Sequence, residues 1–261
     1  SFLSSMKILT INMKNWKNLL ENNLSLSKYK TYTWHSAIPL LQICTTDIQV
    51  EMHRQILEKY PDVLDILLVD QTTQKNIIWA TSNYEDLGES YLESNQIQSE
   101  YITGINGNVI MPRVQKDQIL QQSRIKNMAE VFTPSWICNA QNNLIDNAWF
   151  ERKNVFNKEI PNQKKWKTNQ ERVEFPKNKS WQDYINNKRL EISCGEAPYV
   201  TSRYDTTTGE FIEIENRIGL LDRKLRIINE NIDESNEWLE VTKSAYKNIY
   251  AYEWQGDSLL L

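Results

Sequence analysis

The sequence predicts an α/β protein whose later part begins a doubly wound sheet and whose earlier part is a small α+β domain. Residues 188–194 have the composition of a short strand that runs into a turn at Gly195. Two stretches with apolar residues at helical spacing follow, and residues 248–253 are predicted to form a second short strand. Gly256 and Asp257 open a further predicted helix. This order of strand, turn, helices and strand is typical of a doubly wound α/β sheet.

Residues 6–115 are predicted to form the small α+β domain. Apolar residues at helical spacing indicate an amphipathic helix over residues 47–60, and Pro61 is predicted to end it. Short apolar runs on either side of turn residues predict two β pairs. These pairs are 65–70 with 76–81, and 101–103 with 109–111.

The remaining residues divide into three segments. Residues 116–151 are predicted to contain a connecting helix, followed by a second helix that starts at Ser135. Residues 152–187 are rich in Lys, Asn and Trp and lack periodicity, which is typical of an irregular insertion. Residues 188–261 are predicted to form an incomplete α/β domain.

Charge is segregated along the chain. The net charge is −4, which does not favour a nucleic-acid binder, but residues 152–189 contain 11 lysines and arginines against 4 acids, a net of +7. A local basic excess of this kind indicates either a surface that faces DNA phosphates or a solvated loop. The lysines predicted to face DNA are Lys164, Lys165, Lys167, Lys177 and Lys179.

Composition excludes several other classes of protein. Cys44, Cys138 and Cys194 are widely spaced, which argues against a zinc ribbon and a disulfide framework. The two histidines, His35 and His53, are too few for a His-rich metal site. The sequence has no run of 18 apolar residues, and its opening residues lack the pattern of a secretory signal. We therefore predict a cytoplasmic protein with no metal.

The ends of the two predicted strands mark a candidate ligand site. In open α/β sheets the ligand lies beyond the carboxyl ends of the strands, where a small residue lets the backbone approach it and an acid binds ribose hydroxyls. Gly195 follows the first strand and Glu253 ends the second. The stretch 191–200, E-I-S-C-G-E-A-P-Y-V, resembles the methionine-binding motif D-P-A-C-G-x-G-x-F-L of the S-adenosylmethionine-dependent DNA adenine methyltransferases. In this resemblance, Ala197 replaces the second glycine.

The resemblance assigns roles to residues in this first motif and in one upstream. Glu191 takes the place of the first acid and Tyr199 the aromatic position, and Ser193 and Cys194 complete the turn. Upstream, A-E-V-F-T-P at 129–134 is similar to the G-x-F-F/Y-T-P segment that lines the methionine end of the cofactor. The resemblance therefore adds three cofactor-binding residues: Phe132, Thr133 and Pro134. Thr133 and Pro134 are equally suited to start the helix at Ser135.

The second strand carries the third motif. Residues 248–257 resemble the segment I-Y-G-x-E-I-D, whose glutamate binds the ribose, and Glu253 occupies that position. Trp254 is predicted to flank the adenine ring, although an aromatic side chain here is more often part of a core. The 58 residues from Gly195 to Glu253 exceed the roughly 30 of a tight β-α-β unit. An inserted helix or hairpin is therefore expected between them.

The resemblance implies a Rossmann-like methyltransferase of a restriction-modification system, with S-adenosylmethionine as cofactor and DNA as substrate. A tetrapeptide of Asp or Asn, Pro-Pro and an aromatic residue holds the flipped adenine in this family. The sequence has seven prolines but no Pro-Pro pair, and it ends at Leu261. We therefore expect a truncated, cofactor-binding part that is inactive alone. A restriction or specificity subunit, or self-association through an exposed strand edge at 249–253, is a further expectation.

Two alternatives remain open. A metal-dependent nuclease needs clustered carboxylates with a nearby lysine, and the residues after Asp70 do not provide that pattern. A non-catalytic DNA- or subunit-binding module is the stronger alternative, because the basic segment and the first domain are both suited to it.

Overall fold

The computed structural model describes residues 7–8, 61–70, 73–116 and 131–261, which form two compact units. We call the described residues from Met111 to Glu253 the large unit. The small unit contains the described residues up to Ile110 together with Trp254–Leu261. The helices predicted at 47–60 and within 117–128 lie outside the described residues, as do Cys44, His35 and His53.

The small unit has little regular structure. Strand β1 spans Lys7–Ile8, helix α1 Pro61–Leu68, β2 Val69–Asp70 and β3 Lys75–Asn76. The strands β2 and β3 are antiparallel, with Val69 opposite Asn76. Short 3₁₀ turns account for much of the rest, and its core is formed by Leu64, Leu68, Ile77, Trp79, Tyr84, Tyr91 and Ile97.

Two predictions for this unit are wrong. Residues 65–68 are helical rather than extended, because Leu64 and Leu68 are four apart and both buried, and Pro61 suits the first turn of a helix. The strands β2 and β3 are therefore shorter than predicted. The second predicted β pair, 101–103 with 109–111, is replaced by 3₁₀ turns and loop.

Residues 254–261 complete the small unit. The Tyr84 hydroxyl donates to Asp257 Oδ2 at 2.7 Å, and both residues are buried. A Cβ atom at Gly256 would lie 2.0 Å from the Ile78 carbonyl oxygen, so only glycine fits there. The helix predicted after Gly256 is a 3₁₀ turn at Ser258–Leu260.

The large unit contains the predicted strand, helices and strand. Strand β6 spans Arg189–Ile192, helix α4 Leu220–Asn231, helix α5 Ser235–Lys247 and strand β7 Ile249–Glu253. β6 and β7 pair in parallel, with Arg189 opposite Ile249 and Ile192 opposite Tyr252. The order of these elements is confirmed, whereas a complete doubly wound sheet stays a prediction.

The rest of the large unit lies before β6. Helix α2 spans Ser135–Phe150, β4 Asn157–Ile160, β5 Lys165–Thr168 and α3 Trp181–Asn186. The predicted irregular insertion thus contains an antiparallel hairpin and a short helix. Asn162 and Lys164 take left-handed backbone conformations that close the hairpin, and Ser180 and Asp183 form a capping box that starts α3.

A buried lysine fixes the position of β7. The Lys224 ammonium donates to the carbonyl oxygens of Ile185 at 2.8 Å and Asn187 at 2.6 Å, and more distantly to that of Asn248 at 3.4 Å. Burial, together with the nearby charge of Arg189, lowers the pKa of Lys224 to about 7. This one side chain of α4 joins the end of α3 to the residue that precedes β7.

Self-association through a strand edge at 249–253 stays a prediction, because the burial of side chains along β7 does not test it. The first four residues of β7 are partly buried and Glu253 is buried. In the strand paired with it, β6, the apolar side chains of Leu190 and Ile192 are exposed. Among the described residues, no helix is long and apolar enough to cross a membrane.

Candidate cofactor site

The turn after β6 repeatedly adopts the left-handed backbone conformation. Ser193, Gly195 and Ala197 have φ angles of 55°, 54° and 51°. Such angles are costly for residues other than glycine and occur where the surrounding structure requires them, often at functional sites. Ala197 therefore adopts the conformation that the second glycine of the resembled motif would adopt without strain.

The predicted acid lies directly against this turn. The Gly195 amide donates to Glu253 Oε2 at 2.7 Å, and Glu253 is buried. The Cys194 amide donates to the Tyr252 carbonyl at 2.9 Å and extends the β6–β7 pairing by one residue. The parallel strands thus bring the two acidic motif segments together, although 58 residues separate Gly195 from Glu253.

The Phe132 ring packs against Gly195. A Cβ atom at Gly195 would lie 3.1 Å from Cε1 of the Phe132 ring, so glycine is favoured by space as well as by its φ angle. The Arg113 guanidinium lies 5.3 Å from the Phe132 ring centroid, and the Arg113 amide donates to Glu196 Oε1 at 2.7 Å. Sequence reasoning missed Arg113 and Glu196, because no motif spacing connects them to the turn.

Thr133 and Pro134 lead into α2. Pro134 is the N-cap residue and has no side-chain capping bond. The Ser135 amide instead donates to Asp205 Oδ2 at 2.7 Å, a residue 70 positions away. The Thr133 carbonyl accepts from Thr206 Oγ1 at 3.3 Å, which joins the same loop to the helix start.

Glu191 carries an unsatisfied buried oxygen. Its Oε2 is buried without a hydrogen-bond partner. Burial, together with the nearby Glu253, raises the pKa of Glu191 to about 8, although hydrogen bonds from the Tyr199 and Val200 amides partly oppose the rise. At neutral pH the Glu191 carboxyl is therefore mostly protonated, and a cation brought to Oε2 would favour its ionised form.

Tyr199 and the two described cysteines lie near Glu191. The Tyr199 hydroxyl donates to Gln141 Oε1 at 2.5 Å, and burial raises the Tyr199 pKa, although a hydrogen bond with Thr133 opposes this. Burial raises the pKa of Cys138 to about 12, and it also raises that of Cys194. Neither thiol is activated as a nucleophile, because the reactive form is the thiolate.

The structure therefore gathers most of the predicted cofactor residues in the large unit. Trp254 belongs to the small unit, where its indole nitrogen donates to the Ala80 carbonyl at 3.0 Å. Its assignment to the adenine ring stays a prediction. The gathered residues are Phe132, Thr133, Pro134, Glu191, Ser193, Cys194, Gly195, Ala197, Tyr199 and Glu253.

The five lysines predicted to face DNA lie in different places, and one of them is engaged within the protein. Lys165 and Lys167 are exposed on β5, and exposed Lys164 lies in the hairpin turn with its ammonium 5.7 Å from the Trp136 ring centroid. Lys177 is exposed in a separate turn. Lys179 donates to the Trp149 carbonyl at 2.6 Å and to Glu151 at 2.9 Å, so its ammonium is engaged within the protein.

Metal ligands are not clustered in the part of the chain that the structure describes, where no group of three suitable side chains occurs. Comparisons with protein-family models, with curated proteins and with solved structures found no match to this chain.

Proposed function

We propose that this chain is the cofactor-binding part of a cytoplasmic DNA adenine N6-methyltransferase of a restriction-modification system. The observation that supports the proposal best is the convergence on Gly195. Phe132 packs against this glycine, and Glu253 accepts its amide. Three motifs far apart in sequence thus meet at the residue that the resemblance predicts to approach the cofactor.

The donors and acceptors at this turn are suited to S-adenosylmethionine. Glu253 offers carboxylate oxygens to the two hydroxyls of a ribose, the role of an acid at a strand end in such sheets. The unsatisfied Oε2 of Glu191 is an acceptor for a cationic group of the methionine portion. Gly195 has no side chain of its own, and the Phe132 ring packs where a Cβ atom would lie.

When bound, the cofactor supplies a methyl group on a positively charged sulfur. The residues of this site bind and orient, and none of the thiols or carboxylates is placed as a nucleophile. The base-holding Pro-Pro-aromatic tetrapeptide is not among the 261 residues. We therefore expect the chain to bind cofactor without methylating DNA by itself.

The test is calorimetric titration with S-adenosylmethionine and its demethylated product. We expect saturable binding near micromolar affinity, about −8 kcal/mol. Glu253→Gln keeps an acceptor for the Gly195 amide but loses the charge that favours ribose hydroxyls, so we expect affinity to fall about tenfold, or ~1.4 kcal/mol. Glu210→Gln makes the same change at an exposed acid of the large unit and should leave affinity unchanged.

The outcome separates the two candidate functions. No binding by folded wild-type protein, or equal affinity of the wild type and the Glu253→Gln variant, would reject the cofactor site. The non-catalytic DNA- or subunit-binding module would then be the better proposal, because it requires only the basic surface of the large unit.

A further inference from the structure

The hairpin formed by β4 and β5 places three lysines on one face. Its register pairs Lys158 with Lys167 and Ile160 with Lys165. Directly opposed residues of an antiparallel pair lie on the same side, and side chains alternate along each strand. Lys158, Lys165 and Lys167 therefore share one face, and all three are exposed.

The opposite face of the hairpin is anchored to the large unit. The Trp166 indole donates to the Asn216 carbonyl at 2.9 Å, and Thr168 Oγ1 donates to Asn216 Oδ1 at 2.8 Å. Asn157 is buried and exchanges amide hydrogen bonds with Asn139. The lysine face is thus presented on a fixed support.

This face has a charge imbalance that the large unit does not neutralise. The hairpin's one acid, Glu159, is opposite Trp166 on the anchored face and accepts from Asn143 at 3.0 Å. Within the described residues, none of the three lysines is in a salt bridge. Like charges directly opposite each other, as in the pair of Lys158 and Lys167, destabilise a hairpin. An anionic partner would remove this cost.

We propose that the face of Lys158, Lys165 and Lys167 binds the phosphate backbone of duplex DNA. The choice of DNA rests on the proposed function, whereas the surface itself rests on the hairpin geometry. A two-stranded β-ribbon has the width that the major groove admits. Lys165 and Lys167, about 6.8 Å apart along the strand, match a repeating phosphate chain. Phosphate contacts of this kind position DNA without reading its sequence.

The assignment differs from the one that the sequence predicts. Lys158 joins the surface because the register places it opposite Lys167, which spacing alone does not reveal. Lys179 leaves it because its ammonium is bound by Glu151 and the Trp149 carbonyl. Lys164 borders the face at the hairpin turn, next to the exposed Trp136 ring.

The test measures binding of the full chain to a fluorescent 20-base-pair duplex of arbitrary sequence at 50 to 200 mM salt. Each phosphate contact contributes a slope of about 0.9 to the dependence of log affinity on log salt. Lys158→Gln, Lys165→Gln and Lys167→Gln together should lower that slope by about 2.7. Over this fourfold change in salt, the variant should lose roughly 40-fold less affinity than the wild type.

The control replaces three exposed lysines elsewhere, Lys75, Lys188 and Lys247, with glutamine, which changes the net charge equally. It should keep the wild-type slope, and circular dichroism should show all variants folded. If the salt slope falls equally in both triple variants, or if the folded wild type does not bind DNA, the proposed DNA-binding surface is wrong. Cofactor titration of the same samples keeps the proposals separate: intact cofactor binding without DNA binding rejects only the hairpin surface, and the reverse result rejects only the cofactor site.

Discussion

Ala197 shows how one residue can occupy a position suited to glycine. It takes the place of the second glycine in the motif that residues 191–200 resemble. Its φ of 51° shows that the backbone keeps a left-handed conformation despite the added Cβ. The strain is balanced by packing, because Ala197 lies against the core of the large unit.

Ala197→Gly should therefore raise the free energy of unfolding by about 0.5 kcal/mol. Release of the left-handed strain, about 1 to 2 kcal/mol, outweighs the greater freedom of glycine in the unfolded chain and the lost methyl contact. Urea denaturation measures the change. Ala148→Gly, in the exposed part of helix α2, should lower stability by about 1 kcal/mol. If both glycine variants lose stability equally, the strain at Ala197 is absent.

Helix α2 depends on a cap that is distant in sequence. Asp205 accepts from the Ser135 amide at the helix start and from the Thr207 amide at 2.8 Å. Burial opposes ionisation of Asp205, but the hydrogen bonds from Thr207 and Ser135 outweigh it and lower the pKa of Asp205 below its usual value. The cap thus links the loop at Asp205 to the segment that carries Phe132 and Thr133.

Asp205→Ala should reduce the stability of the protein by about 1 kcal/mol at pH 7, the usual cost of losing an N-cap. Because the folded pKa is lowered, the charge stabilises the protein above the unfolded pKa, and this contribution is lost as pH falls through the folded value. The difference in free energy of unfolding between the Asp205→Ala variant and the wild type should therefore become smaller below about pH 4. Asp233→Ala, at an exposed loop position, provides the control. A stability difference between variant and wild type that stays constant from pH 7 to pH 3 would contradict this explanation.

The elements that the sequence predicts well are those with long patterns. Helices α4 and α5 have apolar residues at helical spacing over three turns, and β7 is bounded by recognisable turn residues. The run at 65–70 is too short for its period to separate helix from strand, so its interpretation as a strand is wrong. The Asp205 cap and the pairing of Lys158 with Lys167 depend on tertiary structure and have no local signal.

At the scale of the whole molecule, a buried ion network organises the large unit. Asp146 Oδ2 accepts from Arg223 at 2.6 Å and its Oδ1 accepts from Arg189 at 3.1 Å. Asp146 and Arg223 each expose only 1% of their side chains. Tyr184 also donates to Asp146, at 2.9 Å, so α2, α3, α4 and β6 meet at one carboxylate.

Asp146→Asn should destabilise the protein by about 3 to 5 kcal/mol, because Arg223 would keep a buried charge without its partner. Chemical denaturation followed by circular dichroism measures the loss. Glu174→Gln breaks the exposed pair with Arg152 and should change stability by less than about 1 kcal/mol. Similar effects of the two substitutions would mean that the buried network contributes no more than a surface pair.

The small unit is formed by two segments that are far apart in the sequence, and this affects the order of folding during synthesis. The described residues of the large unit end at Glu253, whereas the small unit also contains Trp254–Leu261, of which Leu259 and Leu260 pack against its core. Asp257 lies 173 residues after its partner Tyr84. Because a growing chain exposes its earlier residues first, residues 61–110 of the small unit emerge before Met111–Glu253, and Trp254–Leu261 emerge after them. The apolar core around Trp79 therefore stays incomplete until residues 254–261 have been made.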